Sequence, residues 1–316
     1  MVKVTIIIPN YNNQQWLTAC LDSCISQKGD FIKEIIVVDD QSTDDSWRFL
    51  QDFQRTHSQE VFIYQNPQKG GNAARNYGFS KATGDYIQWL DSDDVLLPEK
   101  LKTQVDFFEN NPEIDIVYSD WRMDYYEEDI KIYEEVNQSR SFDTYLKALI
   151  SEKWQPNLSY LLRRGVADHL DGIQAWNPSR KVAQDREYFN LAAIHGARFA
   201  YVPGLFSVYN RWSKGSVSMI NYKKRQVLSL ELDQKLIHEI RKQQWLQQNE
   251  KRDLIGILKT NALKSTFYQP TMKMLEPISF FNIHWSTIHY KMRPFIPFIW
   301  FYQSIRFYLN KLFHSS

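Results

Sequence analysis

Gly84-Asp85-Tyr86-Ile87-Gln88-Trp89-Leu90-Asp91-Ser92-Asp93-Asp94 runs an apolar strand straight into a group of carboxylates, and Pro98 stands just beyond to keep the strand from continuing. The bulky residues from Tyr86 to Leu90 suit a buried central strand. Carboxylates crowded at its carboxyl end repel one another unless a cation joins them. Oxygen-rich groups of this kind suit magnesium or manganese, which keep open positions for phosphate oxygens. Taken alone, the same residues also fit a solvated acidic turn capping a helix over 99–110.

Working outward, strands and helices alternate. Residues 4–9 form a β-branched run, 16–27 have helical periodicity, and 34–39 are a second strand ending in acid. A helix over 44–56, a strand over 61–65 and a helix over 73–82 lead to the strand at 86–90. Such alternation predicts an α/β fold with a mostly parallel central sheet flanked by helices. Ligands of these sheets bind outside the carboxyl ends of the strands, where Asn10–Asn12, Asp39-Asp40 and Asp91–Asp94 all fall. Beyond 116–120 the order is less regular. The segment 125–136 reads as antiparallel strands or as an excursion over the site, 143–150 and 185–195 as helices, and 199–202 and 206–211 as closing strands. Two long polar helices follow at 221–244 and 249–267.

The 316 residues allow one sizeable catalytic domain and an appendage. Residues 221–316 hold 15 Lys and Arg against 6 Asp and Glu, so the formal charge of +1 conceals an acidic first part and a basic tail. Cys20 and Cys24 read as packing residues in a reducing compartment. The N-terminus enters a strand at once, so export is not expected.

Three further motifs carry chemistry. Ile8-Pro9-Asn10-Tyr11-Asn12 places an aromatic face at the sheet's mouth, on which a nucleobase stacks for about 1–3 kcal/mol. Val37-Val38-Asp39-Asp40-Gln41-Ser42-Thr43-Asp44 ends a strand in carboxylates able to accept a uracil imide N–H, although an acidic pair there also fits a phosphoacceptor receiver domain. In Gly70-Gly71-Asn72-Ala73-Ala74-Arg75-Asn76-Tyr77-Gly78 the glycines allow close backbone approach, and Arg75 offers a planar fork of donors to a nucleotide or its phosphates. The glycines do not follow the first strand as G-x-G-x-x-G, which disfavours a dinucleotide-binding dehydrogenase, and a nucleotidyltransferase ranks low because Pro9-Asn10-Tyr11 occupies its glycine loop.

With Leu90-Asp91-Ser92-Asp93-Asp94 these motifs resemble, in order, an inverting family 2 glycosyltransferase with the GT-A fold. The resemblance implies a Rossmann-like catalytic domain over 1–218 and a helical C-terminal extension over 219–316. It places Pro9, Tyr11, Asn12, Asp40, Arg75, Asp91, Ser92 and Arg211 on the donor nucleotide, with Asp91 toward the ribose. Asp93 then holds a divalent cation, Mn²⁺ or Mg²⁺, and Asp185 of Gln184-Asp185-Arg186-Glu187 is the candidate catalytic base. Gln184 stands where relatives often carry an acid. Ser213 stands where many carry a histidine, which motivates a second reading as a catalytically silent nucleotide-sugar-binding module. The implied partners are a nucleotide-sugar donor, with UDP first, and a glycan or lipid-linked acceptor; no nucleic acid is expected. Trp154, Asn157 and Trp176 are candidate acceptor liners.

Residues 277–316 contain 12 aromatic residues, four basic ones and no acid. Their apolar run, broken by proline, is too short to span a bilayer. An interfacial anchor on an anionic membrane surface is the sharper expectation, which would make a cytoplasmic enzyme peripheral on the inner face of the membrane. A tail packed over the protein or a partner subunit is the other.

Overall fold

The computed structural model describes residues 1–128, 130–153, 155–212, 222–268 and 293–313, with Ile283 and Ile288. The expected alternation is present. Strand β1 (Lys3–Asn10), helix α1 (Gln14–Ile25), β2 (Ile32–Asp39), α2 (Ser46–Thr56), β3 (Val61–Gln65), α3 (Gly71–Phe79) and β4 (Tyr86–Trp89) follow in order. Next come β5 (Val95–Leu96), α4 (Lys100–Asn110), β6 (Ile116–Glu127), β7 (Ile130–Asn137), α5 (Tyr145–Ile150) and β8 (Tyr160–Arg163). Helices α6 (Arg164–Gly172) and α7 (Gln184–Ile194) precede β9 (Phe199–Trp212), and α8 (Tyr222–Lys242), α9 (Gln248–Tyr268) and α10 (Ile296–Phe313) close the sequence.

One sheet runs β3-β2-β1-β4-β8-β6-β9-β5, with β7 on β6. Its first four strands are parallel, as the alternation requires. The other half is mixed: β8 is antiparallel to β4 and β6, whereas β9 lies parallel to β6. The segment 125–136 belongs to the β6–β7 antiparallel hairpin. Ile6, Ile8, Val37, Leu17 and Leu21 fill the core between β1, β2 and α1, and the free thiols of Cys20 and Cys24 are buried among them.

Helix α3 lies close against the sheet because residue 78 has no side chain. A Cβ there would stand 2.7 Å from Ile7 Cγ2 and 3.1 Å from Val38 Cγ2. That contact seats the helix bearing Arg75 directly on β1 and β2. A second anchor is a buried polar knot on α4. Lys100 is fully buried, and its ammonium donates to Gln88 Oε1 at 2.5 Å, Gln104 Oε1 at 2.6 Å and the Tyr160 carbonyl at 3.3 Å. Three donors thus meet three acceptors with no carboxylate among them, and burial pushes the amine well below its ordinary pKa.

The chain divides into two compact units. The first comprises Met1–Asp143, Trp154–Ala193 and Ala197–Ser216; the second takes Thr144–Lys153 and Ile194–Gly196 together with Val217–Ser316. Within the second unit α5 is tied to α9 by Lys147 to Asp253 at 2.7 Å and by Asn261 Nδ2 to the Ile150 carbonyl at 3.2 Å. Leu236, Ile240, Ile257 and Leu258 are buried there.

Gly78→Ala is expected to cost about 1–3 kcal/mol through overpacking. Gly165→Ala, where a Cβ on α6 meets nothing within 4 Å, serves as the control. Urea denaturation of both checks this; equal midpoints would show that α3 does not need the close approach.

Candidate active site

The segment after β4 and the start of α7 converge on Arg75 of α3. Its Nη2 donates to Asp91 Oδ1 at 2.5 Å. Nη1 reaches Asn72 Oδ1 at 3.2 Å and Gln184 Oε1 at 3.3 Å, and the guanidinium lies 4.7 Å from the ring centre of Trp176. One buried side chain therefore joins the acidic motif to the residue preceding Asp185. The loop carrying Trp176 is clamped to α3 by Asn72 Nδ2 to the Asn177 carbonyl at 2.8 Å and Asn76 Nδ2 to the Trp176 carbonyl at 2.9 Å. Trp176 is 3% exposed, which places it as Arg75's support rather than as a surface liner.

The acidic motif is held open by its neighbours. Asn157 Nδ2 donates to Asp91 Oδ1 at 3.2 Å, and Asn13 Nδ2 to Ser92 Oγ at 2.9 Å. On β9, Asn210 donates its backbone N–H to Asp94 Oδ1 at 2.8 Å and its side-chain amide to the Asp93 carbonyl at 2.5 Å. Burial, reinforced by Asp91, raises Asp93 to about 7, while burial with Asp93 and Asp91 holds Asp94 well above the carboxylate range. Asp94 Oδ2 has no hydrogen-bond partner. Burial also raises the Tyr209 phenol, and Asp94, Asp91, Asp93 and Asp185 push it the same way. Crowded carboxylates with an orphaned oxygen are a donor set that fits a hard divalent cation. Among the described residues no three His, Cys, Asp or Glu side chains converge as a cage. One or two carboxylates with phosphate oxygens and water suffice for magnesium or manganese.

Asp185 opens α7. Tyr188 and Phe189 fix that helix in the core, stacking on Trp176 at 4.4 Å and on Tyr160 at 3.7 Å. Glu187 is buried and accepts from Arg180 Nε at 2.6 Å. Asp185 Oδ1 accepts the Arg186 N–H at 2.8 Å. Burial raises its pKa, the Arg186 N–H opposes the rise, Asp91 adds to it and Arg75 counters it.

At the other strand ends, Tyr11 is exposed and Lys69 Nζ lies 4.4 Å from its ring centre. Pro9 pairs with Val38 at the end of β1. Asn12 bridges to the second loop: its N–H donates to Ser42 Oγ at 3.0 Å and its Oδ1 accepts the Thr43 N–H at 2.7 Å. Asp40 accepts Asn66 Nδ2 at 2.6 Å and the Gly70 N–H at 2.8 Å on Oδ1, and the same N–H lies 2.9 Å from Oδ2. It thereby fixes the Gly70-Gly71 turn, and Oδ2 keeps acceptor capacity for a ligand. Gly70, at φ +137°, takes a backbone that other residues rarely adopt.

Arg211 is not brought to the acidic motif. Strand alternation turns it away from Asn210, and its guanidinium lies 5.6 Å from the Tyr125 ring centre. Asn66 was missed by sequence reasoning, although it is a polar group just beyond a strand end, and Asn157, expected as an acceptor liner, donates to Asp91. Ser213 and Trp154 lie outside the described residues.

The Glycosyl transferase family 2 model matches residues 5–160. The Escherichia coli protein WfaP, named UDP-Glc:alpha-D-GlcNAc-diphosphoundecaprenol beta-1,3-glucosyltransferase, is 39% identical over 109 residues, covering 34% of this chain and 42% of that one. The alignment thus spans less than half of that relative's length. S. aureus TarS 1-349, solved in complex with UDP-GlcNAc, matches with a TM-score of 0.65 at 16% identity, over 96% of this chain and 89% of that one. The Pyrobaculum calidifontis mannosyltransferase PcManGT, solved with GDP-Man and Mn²⁺, matches with a TM-score of 0.53 at 17% identity, over 99% and 88%. Residues 5–160 place the chain in the Glycosyl transferase family 2, and its fold is GT-A.

Asp185 is expected to titrate above the ordinary aspartate value of about 3.9, because burial disfavours its charged form. Arg75→Gln removes a charge that lowers it, so the midpoint moves further up. Carboxyl-carbon NMR reads both; a midpoint at or below the ordinary value, or a downward move in the variant, contradicts this arrangement.

Proposed function

We propose that the protein transfers a sugar, with inversion, from a UDP-sugar to a hydroxyl of a glycan or lipid-linked acceptor in cell-surface polysaccharide synthesis. The observation that carries this reading is the Arg75 bridge, which joins the acidic motif to Gln184, the residue preceding the candidate base. WfaP's printed donor and diphosphoundecaprenol-linked acceptor support the substrate classes, and the UDP-GlcNAc bound to TarS supports the nucleotide.

In this reading the acceptor oxygen forms a bond to the anomeric carbon as the bond from that carbon to the diphosphate oxygen breaks. Asp185 takes the acceptor proton, a contribution typically of about 10²–10⁴-fold. Its raised pKa suits a base that must bind a proton as the hydroxyl acidifies. Asp91, fixed by Arg75 and Asn157, faces the ribose, while Tyr11 stacks on the base and Asp40 accepts the uracil imide. Ser92, Pro9 and Asn12 shape the nucleotide end. Mn²⁺ or Mg²⁺ on Asp93 would neutralise negative charge on the diphosphate.

Asp185→Asn is expected to retain UDP binding with Mn²⁺ and to lose transfer by about 10²–10⁴-fold. Asp93→Asn loses the metal-dependent part of binding. Calorimetry beside a transfer assay checks both, and normal turnover by the Asp185 variant removes it from the base role.

The same reading puts the enzyme at the cytoplasmic face of a membrane. No helix among the described residues is long and apolar enough to cross one. Helix α10 instead exposes Phe298, Phe301 and Tyr302 at helical spacing, with Phe295 exposed just before it. Aromatic groups of this kind settle at headgroup level beside basic residues that attract anionic lipid. The full chain is expected to float with phosphatidylserine vesicles and a chain ending before residue 277 to stay behind; equal flotation would sink the anchor.

A further inference from the structure

The last residues of β9 return to the acidic motif. Paired with β6, they set Asn210 opposite Asp124, Arg211 opposite Tyr125 and Trp212 opposite Tyr126. Side chains two apart on a strand share a face, so Trp212 lies on the side from which Asn210 grips Asp93 and Asp94, away from Arg211. Its indole is clamped there. The ring of Trp16, in the first turn of α1, stacks on it with centres 3.6 Å apart and planes 25° apart, and the Tyr126 ring lies 4.2 Å away. Asn13, just before α1, donates to Ser92 Oγ at 2.9 Å, so the clamp is fastened to the motif from α1 as well as from β9.

An indole N–H can only donate. That of Trp212 is buried and has no hydrogen-bond partner among the described residues, a condition proteins rarely leave without a purpose. The acceptor beside it is Asp93. Burial and Asp91 raise that carboxyl, whereas its own N–H and the Trp212 indole pull it back down, which requires the indole to stand close to the carboxylate. The donor is therefore within reach of Asp93 without a well-formed bond to it.

We propose that Trp212 is a positioning residue for the cation: its N–H takes one oxygen of the Asp93 carboxylate and turns the other toward the metal. The inference rests on the proposed function, in which Asp93 holds Mn²⁺ or Mg²⁺. These ions take few protein carboxylates and demand near-ideal geometry, so the orientation of each carboxylate matters. A carboxylate ligand that accepts from a fixed donor is held in one orientation, and bonds of this kind, loosely aligned beforehand, tighten when the ligand arrives. Between Trp16 and Tyr126 the indole is locked by packing, which is what a positioning donor needs.

Calorimetry of UDP binding to the full chain, with and without Mn²⁺, tests this independently of sugar transfer. Two variants remove the donor. Trp212→Phe keeps an aromatic ring in the clamp, and 3-benzothienylalanine at residue 212 keeps the two-ring shape with sulfur in place of the N–H. Both are expected to lose about 10–100-fold in the affinity gained from Mn²⁺ while binding UDP without metal as the wild type does. Should the phenylalanine variant fail to fold by circular dichroism, the sulfur isostere decides. A wild-type gain from Mn²⁺ in the isostere, or an equal loss with and without metal, overturns the role of Trp212 and leaves the proposed function standing. A wild type whose UDP binding gains nothing from Mn²⁺ overturns the metal reading of Asp93 itself, and this inference with it.

Discussion

The ion pair between Arg75 and Asp91 is the constraint on which the site depends. Arg75 is seated on the sheet because Gly78 lets α3 approach β1 and β2, and it is backed by the Trp176 ring. Its two outer nitrogens then fix two chain segments far apart in sequence, the acidic motif after β4 and Gln184 at the start of α7. A lysine would supply the charge without the fork, so it would hold one segment and lose the other.

Opposing this pair is a crowding of carboxylates, of which Asp94 is fully buried. Asp91, Asp93, Asp94 and Asp185 influence one another and Tyr209, and a single nearby guanidinium does not balance them. Fold stability would favour neutral side chains here. Burial and the neighbouring Asp91 raise Asp93, and in the proposed function a divalent cation held there would offset that repulsion. Gln184 fits the same logic: a glutamate there would add a further negative charge beside Arg75.

Much of this was legible in the sequence, for identifiable reasons. Tyr86–Trp89 running into Asp91-Ser92-Asp93-Asp94 needs only a strand's pattern and a local cluster, and the parallel half of the sheet follows from regular alternation. The mixed half does not, since its pairings join β4 to β8 and β6 to β9 across long, irregular connections. Asp40 illustrates a second limit. Its position beside the site was readable, but its grip on Gly70 and Asn66 depends on where the next loop returns. Arg211 was grouped with the donor residues, yet alternation along β9 carries Asn210 to the motif and sends Arg211 to Tyr125. Lys100 gave no sign of burial, because nothing local marks a helix-start lysine that will meet Gln88 and Gln104.

The most direct test of the central claim is anomalous diffraction at the manganese edge from crystals grown with a UDP-sugar and Mn²⁺. The account predicts one peak bound by Asp93 and the donor diphosphate, with Arg75 still paired to Asp91 and Asp185 on the sugar's side. A peak elsewhere, or a donor bound in place with no metal against Asp93, would contradict it.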